Sequence, residues 1–389
     1  MMIKHPFPII FVLLTIEITI LWLSKQERFK KYFSFLPAIF WIYFIPIIAS
    51  SVGLIDPKSP IYSTISTHLL PASLFLLLIA VDIKAILRLG KPAIIMFLSG
   101  SFGIMVGAPL VFFLFKPWIG EAFWSGFGAL AGSWTGGSAN MIAVKEAINT
   151  PDEVFLPMVI VDTIVPYVWM GLLVAASSRA AMFDRWTKAD RHYLDELSHR
   201  VEKLASREPL SWRVDTTLLI LALAVGGGCL ASTLAKFFPV IKDVISTYAW
   251  TIIFVSMLGI GISFTPARRL SHYGSTWIGY FILYFVLTTI GAKASLVNIQ
   301  STAVLILAGV VLTLFHAAVL VTVAKLIRAP LFLAATASQA NVGGVASAPI
   351  VAEIYQPGLA AVGLLMAILG NIIGTYLGIL AAQMCRWFI

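Results

Sequence analysis

The sequence predicts an all-α protein that crosses a membrane many times. Hydrophobic residues make up 59% of the 389-residue chain, charged residues make up only 12%, and the mean hydropathy is +0.94. Soluble domains carry about 25% charged and about 45–50% apolar residues. The 27 basic and 18 acidic side chains are therefore too few to cover the surface of a soluble protein of this length.

The positive net charge of +9 is best assigned to cytoplasmic loops, because Lys and Arg collect there in membrane proteins. The lipid bilayer is therefore an expected partner, and nucleic acid is not. The two cysteines, Cys229 and Cys385, lie far apart, the six histidines are scattered, and neither a phosphate-binding glycine loop nor a zinc motif occurs. These features argue against an ATP-driven pump or a metalloprotease, and no cofactor is expected.

Apolar stretches of about 20 residues predict the membrane spans. Ten stretches qualify: 7–23, 35–53, 69–81, 92–115, 154–177, 214–237, 246–264, 275–292, 301–326 and 359–385. Two further segments, 121–148 and 331–355, are long enough to cross but are interrupted, which gives 11 or 12 crossings. Basic residues cluster after the first stretch, so we expect a retained span with its N-terminus outside, and not a cleaved signal peptide. The expected location is the bacterial cell (inner) membrane.

The charges divide the chain into four parts. An extra N-terminal span and its cytoplasmic loop occupy residues 1–33, a first transmembrane repeat 34–178, a charged linker 179–213, and a second repeat 214–389. The linker holds 8 basic and 6 acidic residues and has apolar side chains at three- and four-residue steps, typical of an amphipathic helix. These are Trp186, Ala189, Tyr193, Leu197, Val201 and Leu204. We favour a solvated linker helix over one that lies on the membrane surface.

The two large parts resemble each other. Residues 135–146 (TGGSANMIAVKE) align with 342–353 (VGGVASAPIVAE) at a constant offset of 207, with five identities. Further along, 162–167 (DTIVPY) aligns with 371–376 (NIIGTY), and 81–89 (VDIKAILRL) with 262–270 (ISFTPARRL). Three matches in the same order predict an internal duplication.

The basic loops predict that the repeats are inverted. If Lys84, Arg88 and Lys91 are cytoplasmic, segment 121–148 starts outside; if Lys325 and Arg328 are cytoplasmic, segment 331–355 starts inside. Broken helices that run in opposite directions are typical of secondary transporters. Seven predicted crossings separate the two loops, however, and an odd number puts them on opposite sides. One segment is therefore miscounted or one loop misplaced.

The interrupted segments combine glycine pairs with polar side chains. Gly136 and Gly137 interrupt the first segment, and Gly343 and Gly344 the second; such pairs allow positive φ and close backbone approach. The neighbouring polar residues are Thr135, Ser138, Asn140, Ser338, Gln339, Asn341 and Ser347. A break inside a membrane must line a cavity or be buried in protein, so we predict a binding site for an anion and a coupling cation. The alternative is that the small residues only allow tight helix packing.

Ionisable residues within spans are further candidates. Asp162 lies in an apolar stretch, where a charge is costly and usually functional, and Asn371 is its counterpart in the second repeat. We predict that these two residues hold Na⁺ or a proton, although Asp162 could instead be a structural acid. Glu146 and Glu353 close the broken segments and mark either the mouths of the pathway or helix interfaces. His316 is more typical of a hydrogen bond in helix packing than of a proton relay.

The broken segments resemble a known family. Residues 130–140 (LAGSWTGGSAN) and 337–349 (ASQANVGGVASAP) are similar to the motifs of the YjcL-like bacterial membrane proteins, a family of unassigned function, over nearly the whole chain. That family is similar in architecture to bile acid:sodium symporters, glutamate:sodium symporters and cation:proton antiporters. The resemblance implies a core domain with two discontinuous helices that moves against a panel or dimer domain. Asp162 matches the antiporter acid, but Val161 stands where antiporters often carry a second polar residue.

We therefore expect a secondary active transporter, and not an enzyme, that couples a Na⁺ or H⁺ gradient to the movement of a small organic solute. The solute is expected to be an anion or an amino-acid-like molecule. A cation:proton antiporter is the first alternative; an intramembrane enzyme using Asp162 or His316, a channel and a non-transporting receptor are further ones. A homodimer is common in the related folds.

Overall fold

The protein is built from α-helices, as the sequence predicts. The computed structural model describes residues 2–35, 38–189, 212–240, 246–293 and 302–389, together with Leu197, and this part contains no β-strand. The helices are α1 Pro6–Ser24, α2 Lys30–Phe35, α3 Ala38–Ser51, α4 Ile61–Ile79, α5 Ile83–Leu87, α6 Lys91–Ile119, α7 Phe123–Gly136, α8 Ser138–Ala147, α9 Asp152–Ala176, α10 Ala180–Thr187, α11 Val214–Ala235, α12 Thr247–Ser263, α13 Ser275–Lys293, α14 Thr302–Ile327, α15 Leu331–Val342, α16 Gly344–Tyr355 and α17 Ala360–Arg386. Short 3-10 segments are Glu27–Phe29, Ser177–Arg179 and Pro266–Tyr273.

Eight helices among the described residues are long and apolar enough to cross a membrane. They are α1, α4, α6, α9 continued through α10, α11, α13, α14 and α17. A ninth span results if α12 and the following 3-10 segment, bent by 97°, count as one, whereas α3 and α16 are apolar but shorter. The protein is therefore an all-α, multi-pass membrane protein, and 11 or 12 crossings remain a prediction.

The chain divides into two compact units. Unit 1 consists of Met1–Ala80, Glu146–Thr163 and Leu210–Thr302, and helix α4 contacts α11, α12 and α13 within it. Glycines make these contacts close: a Cβ at Gly227 of α11 would lie 2.7 Å from the ring of Phe75. A Cβ at Gly259 of α12 would lie 2.8 Å from Cβ of Leu78. Small residues thus let helix backbones approach, as is usual in membrane bundles.

Unit 2 consists of Val81–Lys145, Ile164–Pro209 and Ala303–Ile389. Its helices α7 and α17 pack through glycines spaced four residues apart. These are Gly128, Gly132 and Gly136 on α7 and Gly370, Gly374 and Gly378 on α17. A Cβ at Gly374 would lie 2.6 Å from Cα of Gly136, and a Cβ at Gly378 would lie 2.7 Å from Cα of Gly132. Tight helix packing is therefore one role of the glycines at the first break.

Most predicted spans match helices closely, but the span predicted at 69–81 is wrong at its start. Helix α4 begins at Ile61, because the hydroxyl groups of Ser63 and Thr64 donate to the carbonyl oxygen of Pro60 within the helix. Polar side chains satisfied in this way lower the hydropathy of the first turns without interrupting the helix.

The linker and one repeat match also differ from expectation. The linker starts with α10, but the predicted amphipathic pattern falls mostly outside the described residues. The match of 81–89 to 262–270 is wrong as part of the repeat: one helix, α6, separates the first segment from its break, whereas α13 and α14 both separate the second from its own. The two segments also differ locally, since one contains the short helix α5 and the other a 3-10 segment.

Candidate functional site

Each broken segment is interrupted at one glycine with positive φ. Helix α7 ends at Gly136 and Gly137 has φ +82°, whereas α15 ends at Val342 and Gly344 has φ +63°. Gly137 and Gly344 are 207 positions apart, the same offset at which the motifs align. Gly343 keeps a negative φ of −108°. The break therefore recurs at equivalent places in the two motifs, with one glycine of each pair supplying the left-handed backbone.

Asn140 ties the first break to α17. It is buried, its amide nitrogen donates to the carbonyl oxygen of Gly136, and its Oδ1 accepts a 2.5 Å hydrogen bond from the hydroxyl of Thr375. Both polar atoms thus have protein partners. Thr135 is also buried, and its hydroxyl donates to the carbonyl oxygen of Ala131 at 2.7 Å. These side chains hold the broken backbone in place. Thr375 belongs to this group of side chains, although the sequence patterns did not identify it.

Asn371 lies on α17 beside the first break. Its Oδ1 would be 3.7 Å from a Cβ at Gly137, so the missing side chain leaves room for a small group between this carbonyl and the backbone. Asn371 and Ser138, the first residue of α8, are both half-buried. The first break therefore presents an amide carbonyl, a hydroxyl and the end of a half-helix within unit 2.

Gln339 lies in the last turn of α15 and reaches across the second break. Its Nε2 donates to Oγ of Ser347 at 2.7 Å and to the carbonyl oxygen of Pro166 at 3.3 Å. Because a backbone carbonyl only accepts hydrogen bonds, this contact fixes which amide atom is nitrogen. The other amide atom, Oε1 of Gln339, is buried and has no hydrogen-bond partner in the described part of the chain.

Asn341, on the other side of α15, also has an amide nitrogen that is hydrogen-bonded and an amide oxygen that is not. Its Nδ2 donates to Oγ of Ser101 at 3.0 Å, while the hydroxyl of Ser101 itself donates to the carbonyl oxygen of Phe97. Oδ1 of Asn341 is buried, has no hydrogen-bond partner among the described residues, and would collide with a Cβ at Gly100. Only glycine at position 100 leaves space for this oxygen.

A hydrogen-bonded chain joins α9, α14, α15 and α6 next to Asn341. Trp169 Nε1 donates to Oγ of Ser338 at 2.8 Å, and Oγ of Ser338 lies 3.0 Å from Nε2 of His316. Nδ1 of His316 lies 2.9 Å from the carbonyl oxygen of Gly100. Since that carbonyl accepts, Nδ1 carries a proton, and the Ser338 hydroxyl donates to Nε2. His316 therefore joins α14 to α6 and α15 through hydrogen bonds, and no sequence pattern indicated that Trp169 and Gly100 take part.

The acidic candidates are distributed over both units. Asp162 is half-buried in α9 and belongs to unit 1, as does Glu146, which is half-buried near the end of α8. Glu353 belongs to unit 2 and is exposed; its carboxylate accepts from the backbone N–H groups of Gly358, at 3.0 and 3.1 Å, and of Ala360. This carboxylate thus orders the loop between α16 and α17.

The second break can offer oxygen ligands to a cation. Oε1 of Gln339 and Oδ1 of Asn341 are two residues apart on a helix, hence about 200° around its axis. They face different neighbours and would not bind one ion together. Each leaves a buried carbonyl oxygen unsatisfied, which costs about 1–3 kcal/mol unless something binds there.

Comparison with known proteins identifies the family of the chain. The model of one family, described as "Protein of unknown function (DUF819)", matches residues 10–388. The chain belongs to the DUF819 family. A relative, the "Uncharacterized membrane protein YjcL" of Bacillus subtilis (strain 168), is 27% identical over 353 residues, which cover 85% of this chain and 86% of the relative. The resemblance to YjcL-like membrane proteins is therefore confirmed, and both breaks lie inside the part that matches the DUF819 family.

Proposed function

We propose that the protein is a secondary active transporter that couples a Na⁺ or H⁺ gradient to the movement of a small organic solute. The observation that carries this proposal is the pair of helix breaks at Gly137 and Gly344, each surrounded by buried polar side chains. Irregular backbone at membrane depth is tolerated only where protein buries it or where it lines a cavity. Two equivalent breaks are the arrangement that transporters use to bind substrate and coupling ion.

Na⁺ is the coupling ion that the second break favours. Its unsatisfied groups are the amide oxygens of Gln339 and Asn341, which offer lone pairs to a metal cation but do not take up protons near neutral pH. The neighbouring Ser338 and His316 already satisfy each other. A cation bound at either oxygen would restore the free energy that its desolvation costs.

An anionic or amino-acid-like solute fits the N-terminal ends of the half-helices that follow the two breaks. Helices α8 and α16 begin directly at the breaks, and helix N-termini carry roughly half a positive charge. A carboxylate would be stabilised there, while the C-terminal ends of α7 and α15 suit a cation. The hydroxyl of Ser138 and the amide of Asn371 would be available to orient the solute.

Alternating access by an elevator-like or rocking motion is part of the proposal. Both units are assembled from segments of the first and the second half of the chain, which is how a core and a panel interleave in duplicated transporters. The core would correspond to unit 2, which contains both breaks. A homodimer is proposed only from the resemblance to related folds.

Flux measurements on proteoliposomes test the proposal. Purified full-length protein is reconstituted, and uptake of dicarboxylates, amino acids and short peptides is measured with a Na⁺ gradient, a pH gradient, or neither. We expect one solute class to accumulate only with the Na⁺ gradient. Absence of gradient-dependent flux for every solute would refute the transporter assignment.

Asn341→Leu tests the coupling site, because it removes the unpaired amide oxygen. We expect the Na⁺ concentration for half-maximal uptake to rise about tenfold or more. A tenfold rise corresponds to the loss of roughly 1.4 kcal/mol of binding free energy, which we assign to the one oxygen ligand removed. Thr336→Val on the same helix is the matched control, since it removes a buried hydroxyl that also lacks a partner. Equal Na⁺ dependence in both variants would exclude Asn341 as a ligand.

A cation:proton antiporter is the second candidate, and it rests on Asp162 within helix α9. Asp162→Asn keeps the shape and removes the charge. If the protein exchanges protons for cations through this residue, the variant loses cation-dependent proton flux in vesicles loaded with a pH-sensitive dye, while unchanged flux would exclude Asp162 from that role.

A further inference from the structure

Helix α1 carries an acid in the middle of its packing face. Its buried residues are Ile9, Leu13, Glu17 and Ile20, which recur at steps of three and four and so form one stripe. The helix contacts α3 and α13 within unit 1. Glu17 has no solvent-exposed surface, so a carboxyl group occupies a position that the pattern of the helix assigns to an apolar side chain.

Among the described residues, neither carboxyl oxygen of Glu17 has a hydrogen-bond partner. A buried carboxylate without donors or a counter-charge costs several kcal/mol in a low-dielectric environment. The group is stable there only with a proton or a bound cation. Such an acid is retained at a helix interface when something neutralises it.

A cleft of about 420 Å³ opens between α1 and α13, one turn from this acid. Leu21, four residues after Glu17 on the same face of α1, forms one wall. The other lining residues are Ser271, Gly274, Thr276, Trp277, Tyr280, Phe281 and Tyr284. Tyr284 lies within electrostatic range of Glu17. All of these residues belong to unit 1.

Four aromatic rings dominate the wall that α13 contributes. Trp277 stacks on Phe281 with ring centroids 5.5 Å apart, and Tyr280 and Tyr284 form a second pair at 5.9 Å. Aromatic faces attract cations, and the attraction is larger where water is excluded. We propose that this cleft binds an alkylammonium group, held by the aromatic rings and neutralised by Glu17.

The ammonium group of the ligand has two chemical sources. It can belong to a free solute or to the head group of a phospholipid. The 3-10 segment Pro266–Tyr273 supplies Ser271 to the lining of the cleft. The site is separate from the helix breaks and does not depend on a transport role for them.

Isosteric probes test the ammonium group directly. Glycine betaine and 3,3-dimethylbutanoate have the same shape and the same carboxylate, but only betaine carries the quaternary nitrogen. Titration of purified full-length protein in detergent, followed by calorimetry, is expected to detect binding of betaine and of choline, and no saturable binding of dimethylbutanoate. Equal affinity for betaine and dimethylbutanoate would overturn the proposal.

Variants assign the site. Glu17→Gln removes the charge at nearly constant shape and Phe281→Leu removes one ring, and each is expected to weaken betaine binding by about tenfold or more. Glu27→Gln is the matched control, because Glu27 is exposed and its carboxylate pairs with Lys30, three residues further along the chain. Unchanged binding in a folded Glu17→Gln protein, judged by its thermal unfolding, would overturn the assignment.

A comparison of two lipids shows whether the ammonium group belongs to a phospholipid or to a free solute. Nanodiscs of phosphatidylethanolamine are compared with nanodiscs of phosphatidylglycerol, which has no ammonium group. If a head group fills the cleft, phosphatidylethanolamine competes with betaine and raises its apparent Kd, and the effect disappears with Glu17→Gln. If a free solute is the ligand, betaine binds equally in both lipids.

Discussion

Substituting Gly374 with alanine should push two helices apart at the first break. An added Cβ would lie 2.6 Å from Cα of Gly136 and 2.8 Å from its backbone nitrogen. Both atoms belong to backbone, so no flexible side chain can move away. Relief requires α17 to retreat from α7 or the break to distort.

The size of the effect follows from these distances. Ordinary contacts of a Cβ begin at about 3.4 Å, so the helices must separate by about 0.8 Å at this point. Overpacking of a close-packed interior usually costs about 1–3 kcal/mol. The same shift would disturb Asn140, whose Cγ would lie 3.0 Å from the new methyl group and which accepts the hydrogen bond from Thr375. We therefore expect both lower stability and impaired binding at the break.

Thermal unfolding in detergent and gradient-driven uptake are the assays. Gly374→Ala should lower Tm by several degrees, whereas Gly171→Ala, with nothing within 4 Å of the added Cβ, should leave Tm unchanged or slightly higher. Equal Tm values for the two variants would refute the close contact of α7 with α17. Loss of uptake without loss of stability would indicate that the position of Asn140 matters for function.

Three further substitutions probe the second break and its surroundings. Gly344→Ala should destabilise by about 1–2 kcal/mol because of its positive φ, and Gly344→Asn by less, as measured by Tm. Ser338→Ala should cost about 1–3 kcal/mol, since Trp169 and His316 both lose their partner; a normal Tm would contradict the shared hydrogen bond. Tyr355→Phe removes a 2.6 Å hydrogen bond to a carbonyl of α9 and should cost about 0.5–1.5 kcal/mol in chemical unfolding.

Much of the architecture was predictable because spans and breaks obey local rules. Length and apolarity located the long helices, and paired glycines located both interruptions within a residue. What composition could not predict is which glycine of a pair takes positive φ, since that depends on how the next half-helix packs. Gly137 and Gly344 take positive φ, whereas Gly343 keeps a negative φ. A Cβ at Gly343 would collide with the side chains of Gln339 and Ser347.

The members of the candidate site were harder to predict than its location. Polar residues near the breaks were identified from composition, but their partners Gly100, Ser101 and Trp169 come from α6 and α9, far along the chain. An unsatisfied oxygen is likewise a property of the packed structure. Glu17 shows this most clearly. One acid in an apolar stretch does not reveal whether it is buried, and only the structure shows that Glu17 lies in the buried stripe with Ile9, Leu13 and Ile20.

The direction of the two broken helices depends on which segments cross the membrane. Seven helical segments separate the basic loops at 84–91 and 325–328: α6, α7 with α8, α9, α11, α12, α13 and α14. If all seven cross, the loops lie on opposite sides and the broken helices run in the same direction. Helix α12 is the one that need not cross. Its 17 residues span about 25 Å, less than the roughly 30 Å hydrocarbon core, and it bends by 97° into the following segment.

A re-entrant α12 would place the two basic loops on the same side of the membrane, as inverted repeats require. Six crossings then separate the two loops, both are cytoplasmic, the total is 11, and the broken helices run in opposite directions. Arg88→Cys and Leu326→Cys, each in a Cys229→Ser background, test this with a membrane-impermeant maleimide applied to intact cells and to inverted vesicles. Both cysteines should react only in inverted vesicles. Reaction of one from each side would mean that α12 crosses and that the two broken helices are parallel.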